Sequence, residues 1–401
     1  MGIHNFEKNY ANARKRLDES TLSLRNKELI LRFLDDLALE NMSKVRLTKY
    51  CGLMKICALW LNKDLDKATK DDLKSIVSKI QLRDDYSVWT KKGYKVAIRK
   101  FYKWFLKADK IPEIVDFITI TIRRSEKRLP SEGELLTEEE IQNLLEACQS
   151  LRDKAFIAML YESGGRIGEI GNLFLRNLAF DKYGITVTLS GKTGSRKIRL
   201  IYCTPYVSNW VNNHPMKHDK NSPLWVTSDS TRRQVRYGTL NKMLKVIAKR
   251  AGIKKKVNPH SFRHSRATFM ANHLTEFQMN QYFGWIQGSD MPSTYVHMSG
   301  KEVDNAVLQM NGIITEDTKN DSKLSPRVCP RCDTINTVDA KHCNKCGGIL
   351  DLKYAMELEE EQARDLKQRT NSDDVMNQLL KNREVQEFLL SKLKELRCSS
   401  F

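Results

Sequence analysis

The stretch over residues 258–297 constrains this chain most, because helix signals and reactive side chains occur together in it. Asn258 and Pro259 form a rigid entry, and His260 and Arg263 follow, three residues apart. Residues at that spacing share one face of a helix, so both side chains can point at one ligand. Arginine binds phosphate well because its planar fork donates two parallel hydrogen bonds. The stretch therefore predicts a helix that presents a basic pair to a phosphate.

The same stretch ends on two aromatic residues. Apolar residues at helical spacing lead to a glycine turn with Trp285, and Tyr295 follows in a polar setting. A phenol beside basic side chains suggests phosphate chemistry with tyrosine as the nucleophile. His260 and His264 would also suit a metal ion, but a zinc-protease helix needs Glu after the first histidine, where this chain has Ser261.

Two further cationic residues precede this stretch. Arg166 follows two glycines at the start of a helical pattern, and Lys192 lies in a glycine-containing turn between two predicted strands. Taken singly, Arg166 is explained by an ion pair with Glu169, and Lys192 by an ordinary turn. Arg196 or Lys197 could replace Lys192 in a catalytic role.

The ordered set resembles the catalytic residues of the tyrosine recombinase (phage integrase) family, over roughly residues 20–310. Its members here are Arg166, Lys192, His260, Arg263, Trp285 and Tyr295. Trp285 stands where many family members have histidine, and Glu169 falls at an acidic position of the family. The resemblance implies that Tyr295 attacks a DNA phosphodiester, giving a 3′-phosphotyrosyl link and a free 5′-hydroxyl without metal or nucleotide.

The resemblance also implies the roles of the other members. Arg166 and Arg263 would hold the two non-bridging oxygens, and Lys192 would protonate the leaving 5′-oxygen. His260 would assist proton movement at the tyrosine, and Trp285 would support the site and hydrogen-bond through its indole N–H. Family members recombine DNA through a Holliday junction as tetramers on double-stranded attachment sites, with a helix after the tyrosine docking on a neighbour. Here that helix would cover residues 301–310.

The charge balance supports a nucleic-acid partner. The 401 residues include 68 Lys and Arg against 49 Asp and Glu, a net charge of +19. Such an excess is typical of proteins that bind polyanions. The N-terminus lacks an apolar signal core, and no run approaches the roughly 18 apolar residues of a membrane span. We therefore expect a cytoplasmic protein without a membrane partner.

Helical periodicity predicts an N-terminal domain over residues 1–120, in which residues 1–20 are polar and loosely held. Thr69 and Asp72 indicate the start of one of its helices. Residues 87–107 resemble the last helix of the family's core-binding (SAM-like) domain, which clamps DNA opposite the catalytic domain. Its cationic residues are either phosphate contacts or a solvated face: Lys91, Lys92, Lys95, Arg99, Lys100 and Lys103.

A linker over residues 121–136 leads to a catalytic domain over residues 137–312, opened by a capping box of Thr137 and Glu140. The predicted fold class is mainly α with a small β-sheet in the catalytic domain (α+β). A second linker covers residues 313–328.

Two C-x-x-C pairs follow that linker, in a segment predicted as a zinc ribbon over residues 329–350. The pairs are Cys329 with Cys332 and Cys343 with Cys346. Four thiolates suit a structural tetrahedral Zn²⁺, and a segment with so little apolar content should fold only with metal. A helical tail over residues 351–401 carries an apolar stripe that would pack on a protein partner or on the chain's own body.

Two other classes of protein remain open at this stage. One is a catalytically silent DNA-binding protein on the same scaffold, against which the complete residue set argues. The other is a zinc-ribbon adaptor or transcription factor. A type IB topoisomerase shares the chemistry but relaxes DNA without a second partner strand.

Overall fold

The computed structural model describes residues 2–123, 126, 131–191, 194–299, 311 and 324–398. Helices dominate, and the strands form one three-stranded and one two-stranded antiparallel sheet. The predicted fold class, mainly α with a small sheet, is thereby confirmed. In this part of the chain, no helix combines the length and apolar composition needed to cross a membrane.

Five helices make up the N-terminal part. They are α1 (Phe6–Asp18), α2 (Leu24–Leu39), α3 (Lys44–Leu61), α4 (Lys70–Gln81) and α5 (Val88–Phe105). The capping box predicted at Thr69 is present, with its hydroxyl and the Asp72 carboxylate each accepting a backbone N–H. Phe33 and Phe101 meet edge to face with ring centroids 5.3 Å apart, inside a core that draws on all five helices.

The N-terminal residues are not loosely held, and that prediction was wrong. They form α1, in which Ala13 and Leu17 are buried against the neighbouring helices. Ile3 is 3% exposed and belongs to the core of the domain predicted as catalytic, which is called the catalytic part below. Its N–H donates to Asn172 Oδ1 at 2.8 Å, and its carbonyl accepts the Tyr237 N–H at 3.1 Å. Few apolar residues suffice here because distant elements supply the surface that covers them.

The catalytic part contains α6 (Glu138–Glu146), α7 (Leu151–Ser163), α8 (Ile167–Gly171), β1 (Leu178–Asp181), β2 (Gly184–Gly191), β3 (Gly194–Leu200), α9 (Thr204–Asn212), α10 (Tyr237–Arg250), α11 (Pro259–Ala271), α12 (Glu276–Phe283) and α13 (Met291–Ser299). The sheet order is β1-β2-β3, and Gly191 pairs with Gly194 at the turn end of the β2–β3 hairpin. Every residue of α7 from Ala155 to Ser163 is buried, so this helix is the centre around which the others pack.

The C-terminal part holds β4 (Arg327–Val328), β5 (Ile335–Asn336), α14 (Leu352–Lys381) and α15 (Arg383–Cys398). Leu324, inside the second predicted linker, is 5% exposed and joins the catalytic core. Several large apolar residues of the tail are exposed, including Leu366 and Phe388. The helix predicted over residues 301–310 lies outside the described residues.

Candidate active site

The start of α11 presents the basic pair as predicted. Asn258 Oδ1 accepts the N–H groups of His260 at 2.8 Å and Ser261 at 3.1 Å, and Pro259 occupies the first helical turn. His260 lies at the exposed edge of the site. Partial burial, and after it the charges of Arg263 and Arg166, lower its pKa. The charges of Arg263 and Arg166 therefore lie close enough to His260 to disfavour its protonated form.

Arg263 lies inside the protein, with 6% of its surface exposed. Its Nη1 donates to the Gly164 carbonyl at 2.9 Å and its Nη2 to the Phe283 carbonyl at 3.0 Å. The guanidinium also lies 5.2 Å from the ring centroids of Phe283 and Trp285. Burial, and next the charge of Arg166, lower its pKa to about 10. It therefore remains a cation at neutral pH, with N–H groups left over from its five donors.

Arg166 precedes α8 and is more open, with 37% of its side chain exposed. Its Nη1 donates to Glu169 Oε1 at 3.0 Å, and the Glu169 carboxylate, 3% exposed, also accepts the Arg166 N–H at 3.0 Å. Burial alone would raise the pKa of this carboxyl, but hydrogen bonds from Arg196 and Arg166 outweigh it and lower the pKa. Glu169 is therefore an ionised anchor for the arginine.

Lys192 lies outside the described residues, although the hairpin that carries it is placed. The preceding residue, Gly191, lies so close to Glu169 Oε1 that a Cβ atom would collide with it. The hairpin end therefore approaches the Arg166 site, and only glycine permits that approach. Of the two alternatives to Lys192, Lys197 is exposed on β3 and the Arg196 side chain is 10% exposed.

Tyr295 lies on α13 and is 1% exposed. Its hydroxyl is 2.8 Å from His264 Nδ1, and Trp285 stacks on its ring with centroids 5.5 Å apart and planes at 6°. Burial raises the pKa of the phenol, and the charge of Arg263 opposes that change. Trp285 therefore uses its ring faces, stacking on Tyr295 and packing against the Arg263 guanidinium.

His264 is the functional residue that sequence reasoning missed. It was considered only as a metal partner of His260, whereas the structure places its ring on the tyrosine hydroxyl. The available signal was its position directly after Arg263, one helical turn from His260. Burial, followed by the charges of His260 and Arg263, lowers the pKa of its ring.

A groove of about 910 Å³ runs beside these residues. His260 and His264 form part of its lining. Other polar side chains that line it are Tyr237, Asn241, Lys245, Lys255 and Lys256. The Lys255 ammonium is held by the Leu135 carbonyl and Glu140 at 2.8 and 2.9 Å. A cationic groove of this kind attracts a phosphate backbone to the predicted catalytic residues.

The four predicted zinc ligands lie together in a second site. Their sulfur atoms are all within 4.8 Å of one another. The closest pairs are Cys329 with Cys346 at 3.5 Å and Cys332 with Cys343 at 3.6 Å. A tetrahedron with Zn–S bonds of 2.3 Å requires S–S separations of about 3.8 Å, so the cluster fits the ion. Asn336 donates to Cys343 Sγ at 3.6 Å, as a partner of a ligand thiolate would.

Sequence comparison identifies relatives of this chain. The family model described as "Phage integrase family" matches residues 134–302. The chain is 30% identical over 180 residues to tyrosine recombinase XerA of Pyrococcus furiosus, covering 44% of this chain and 61% of that protein. It is 27% identical over 285 residues to tyrosine recombinase XerD of Yersinia pestis, covering 67% of this chain and 91% of that protein.

Solved structures share the fold. XerH bound to a palindromic difH substrate matches with a TM-score of 0.54 and 17% identity, over 76% of this chain and 96% of that one. A lambda integrase dimer bound to a COC′ core site matches with a TM-score of 0.55 and 14% identity, over 75% and 83%.

The matched region, residues 134–302, contains every side chain described for the active site. Arg166, His260, Arg263, Trp285 and Tyr295 converge there in space as well as following the family's order. Over residues 134–302 the chain therefore resembles the phage integrase family of tyrosine recombinases.

Proposed function

We propose that this protein is a site-specific DNA recombinase that cuts and rejoins strands through a 3′-phosphotyrosyl intermediate and a Holliday junction. The observation that carries the proposal is the convergence of two arginines, two histidines and a tyrosine beside a cationic groove. The relatives named tyrosine recombinase support it. A cytoplasmic protein acting on double-stranded DNA fits this chemistry.

In the proposed step, Tyr295 Oη attacks a phosphorus atom of the DNA backbone. A bond forms between that oxygen and phosphorus, and the bond from phosphorus to the 5′-oxygen breaks. The phenol proton leaves through a histidine: His260 was expected from the sequence, and His264 holds the hydroxyl in the structure. Lys192 gives a proton to the departing 5′-oxygen. Rejoining reverses these events on a new 5′-hydroxyl, so the phosphotyrosine conserves the energy of the bond.

Arg166 and Arg263 stabilise the charge that develops on the two non-bridging oxygens. Arg263 suits the task because two backbone carbonyls fix its guanidinium without using all of its N–H groups. Arg166 is partly exposed toward solvent while Glu169 holds its other side. The pair is therefore preorganised before DNA arrives.

The buried tyrosine requires one movement before attack. A hydroxyl bonded to His264, in a residue 1% exposed, is shielded from a phosphate in the groove. We propose that DNA binding moves α13 outward, so that Tyr295 leaves the Trp285 ring and exchanges His264 for the phosphate. Cleavage then depends on DNA engagement, which limits unproductive strand breaks.

Strand exchange between two duplexes needs several active sites together. We propose a homotetramer on paired DNA sites, with residues 301–310 as the segment that docks on a neighbour. A lambda integrase structure with a TM-score of 0.51 is a tetramer bound to a Holliday junction, which supports this assembly by analogy of fold.

The cysteine cluster is proposed to hold one structural Zn²⁺, with all four positions taken by Cys329, Cys332, Cys343 and Cys346. A closed site of this kind leaves no position for substrate. The ion would stabilise the ribbon, and the ribbon and tail would serve a protein partner.

Trapping covalent complexes tests the proposed activity. A pool of nicked duplexes of randomised sequence, which lose the freed strand after cleavage, should give the wild-type protein a band that resists denaturation. Tyr295→Phe should abolish the band and retain DNA binding, because only the nucleophilic oxygen is lost. Tyr183→Phe, which alters an exposed tyrosine, is the matched control and should trap normally. Binding without any wild-type band would favour the catalytically silent alternative, and a band from Tyr295→Phe would remove Tyr295 from its role.

A further inference from the structure

Arg196 makes a set of contacts that the predicted roles do not use. The sequence left it as a substitute for Lys192, but its Nη1 and Nη2 donate to the two Glu169 oxygens at 3.1 and 2.8 Å. Its Nε donates to the Tyr282 carbonyl at 2.8 Å. These inward bonds occupy the fork, and an arginine stays charged near neutral pH, so it is a poor proton donor to a leaving oxygen.

The carboxylate that Arg196 binds is the one that holds Arg166. Glu169 therefore accepts from Arg196 on one side and from Arg166 Nη1 at 3.0 Å on the other. A buried network of charged side chains holds its members in one orientation chiefly when every donor and acceptor is satisfied. Without Arg196, the carboxylate would lose its two charge-assisted bonds from β3 and could rotate away from Arg166.

The other contact of Arg196 lies at the C-terminal end of α12. Three successive carbonyls there each accept from a different arginine: Tyr282 from Arg196, Phe283 from Arg263, and Gly284 from Arg166 at 3.4 Å. The last carbonyls of a helix lack partners within it and carry partial negative charge, so they suit cationic donors.

Gly284 is adapted to this arrangement. It adopts φ +61°, and a Cβ atom there would lie 2.6 Å from Arg196 Nη1. Glycine thus allows both the left-handed turn and the close approach of the guanidinium.

We propose that Arg196 is a positioning residue, which fixes Arg166 through Glu169 and fixes the 282–284 turn that both catalytic arginines contact. This inference rests on the proposed recombinase function. In this proposal Arg196 acts through Glu169 and the Tyr282 carbonyl, by holding the groups that stabilise the phosphate.

The test compares Arg196→Gln with a matched control on the same strand. Arg199 makes a bidentate ion pair with Asp181 at 2.7 and 2.8 Å, but that pair is about 40% exposed and involves neither Glu169 nor the carbonyls of residues 282–284. Single-turnover cleavage of a duplex selected by wild-type trapping should fall about 100-fold in Arg196→Gln, the scale for displaced catalytic groups. Arg199→Gln should cleave at the wild-type rate, and both variants should bind the duplex with unchanged affinity.

The pH profile separates positioning from structural support. The charged groups facing Glu169 are Arg166, Arg196 and, farther away, Arg263. Burial raises the carboxyl pKa and Arg196 is the leading influence that lowers it, so its loss should let Glu169 take up a proton at higher pH. In Arg196→Gln the acidic limb of the cleavage rate should therefore move to higher pH, whereas simple loss of folded protein would scale the rate at every pH.

Arg196→Lys keeps the charge without the fork and should restore only part of the rate. Wild-type cleavage by Arg196→Gln would overturn the inference, as would a loss that follows the unfolded fraction with an unchanged pH profile. Failure of both Arg196 variants to fold would assign the residue to stability alone and also overturn it. If wild-type protein forms no covalent adduct, it is the recombinase function itself that fails.

Discussion

At the residue scale, the two arginines proposed as catalytic have similar predicted roles but different surroundings. Arg263 is 6% exposed and held by two carbonyls, whereas the Arg166 side chain is 37% exposed and held by a carboxylate. A buried fork is harder to replace, because substitution leaves the carbonyls of Gly164 and Phe283 without their donor.

We expect Arg263→Ala to lower single-turnover cleavage at least 100-fold, on the scale of about 3–4 kcal/mol for one preorganised stabiliser of developing charge. Arg263→Lys should recover little, since an ammonium cannot reach both carbonyls and a phosphate oxygen together. Melting temperature and duplex affinity, measured alongside, show whether the loss is catalytic. A near-normal rate in well-folded Arg263→Ala would refute the assignment.

At the element scale, the ribbon is the part with the least secondary structure to stabilise it. β4 and β5 contain two residues each. Of the four clustered cysteines, Cys329 and Cys332 lie between these strands, and Cys343 and Cys346 follow β5. Backbone pairing on this scale cannot offset the entropy of ordering the segment, so we expect the proposed ribbon to need metal for its fold.

We expect elemental analysis to find about one zinc per chain, the occupancy of a single four-thiolate site. Cys343→Ser should lose the metal, and Cys148→Ser, whose thiol bonds the Leu144 carbonyl outside the cluster, should retain it. Strand cleavage should survive EDTA, because the proposed chemistry uses side chains only. Zinc content near zero in reduced wild-type protein would contradict the ribbon proposal.

At the scale of the whole molecule, residues 2–5 connect the N-terminal helices to the catalytic part. Ile3 packs directly against Gly171. A Cβ atom added to Gly171 would lie only 2.7 Å from Ile3 Cδ1. Gly171 is the last residue of α8, the helix that begins after Arg166. The chain's first residues thus support the element that positions a proposed catalytic arginine.

We expect Ile3→Ala to lower the free energy of unfolding of the catalytic part by about 2–4 kcal/mol, as for other buried isoleucines cut to alanine. Ile111→Ala, at a site 50% exposed, is the matched control and should change it by less than about 0.5 kcal/mol. Urea unfolding followed by tryptophan fluorescence includes a signal from this core, in which Trp225 is fully buried. Equal effects of the two substitutions would show that the segment is not docked in solution.

Much of the fold follows from local patterns. Helical periodicity predicted the helical N-terminal domain, and the boxes at Thr69 and Thr137 marked the starts of α4 and α6. These signals act within one or two helical turns, so the sequence displays them directly. The order of reactive residues likewise predicted a phosphate site, since spacing along α11 decides which side chains share a face.

The tertiary structure alone decided how these residues meet. His264 on the tyrosine, Arg196 on Glu169, and Ile3 in the catalytic core join elements 31, 27 and 169 residues apart. Each contact depends on the packing of whole helices, for which no local pattern in one sequence gives a signal. The sequence by itself therefore determined which reactive residues the chain carries and in what order. Packing decided that the proposed nucleophile is buried and that carbonyls at the end of α12 hold the arginines.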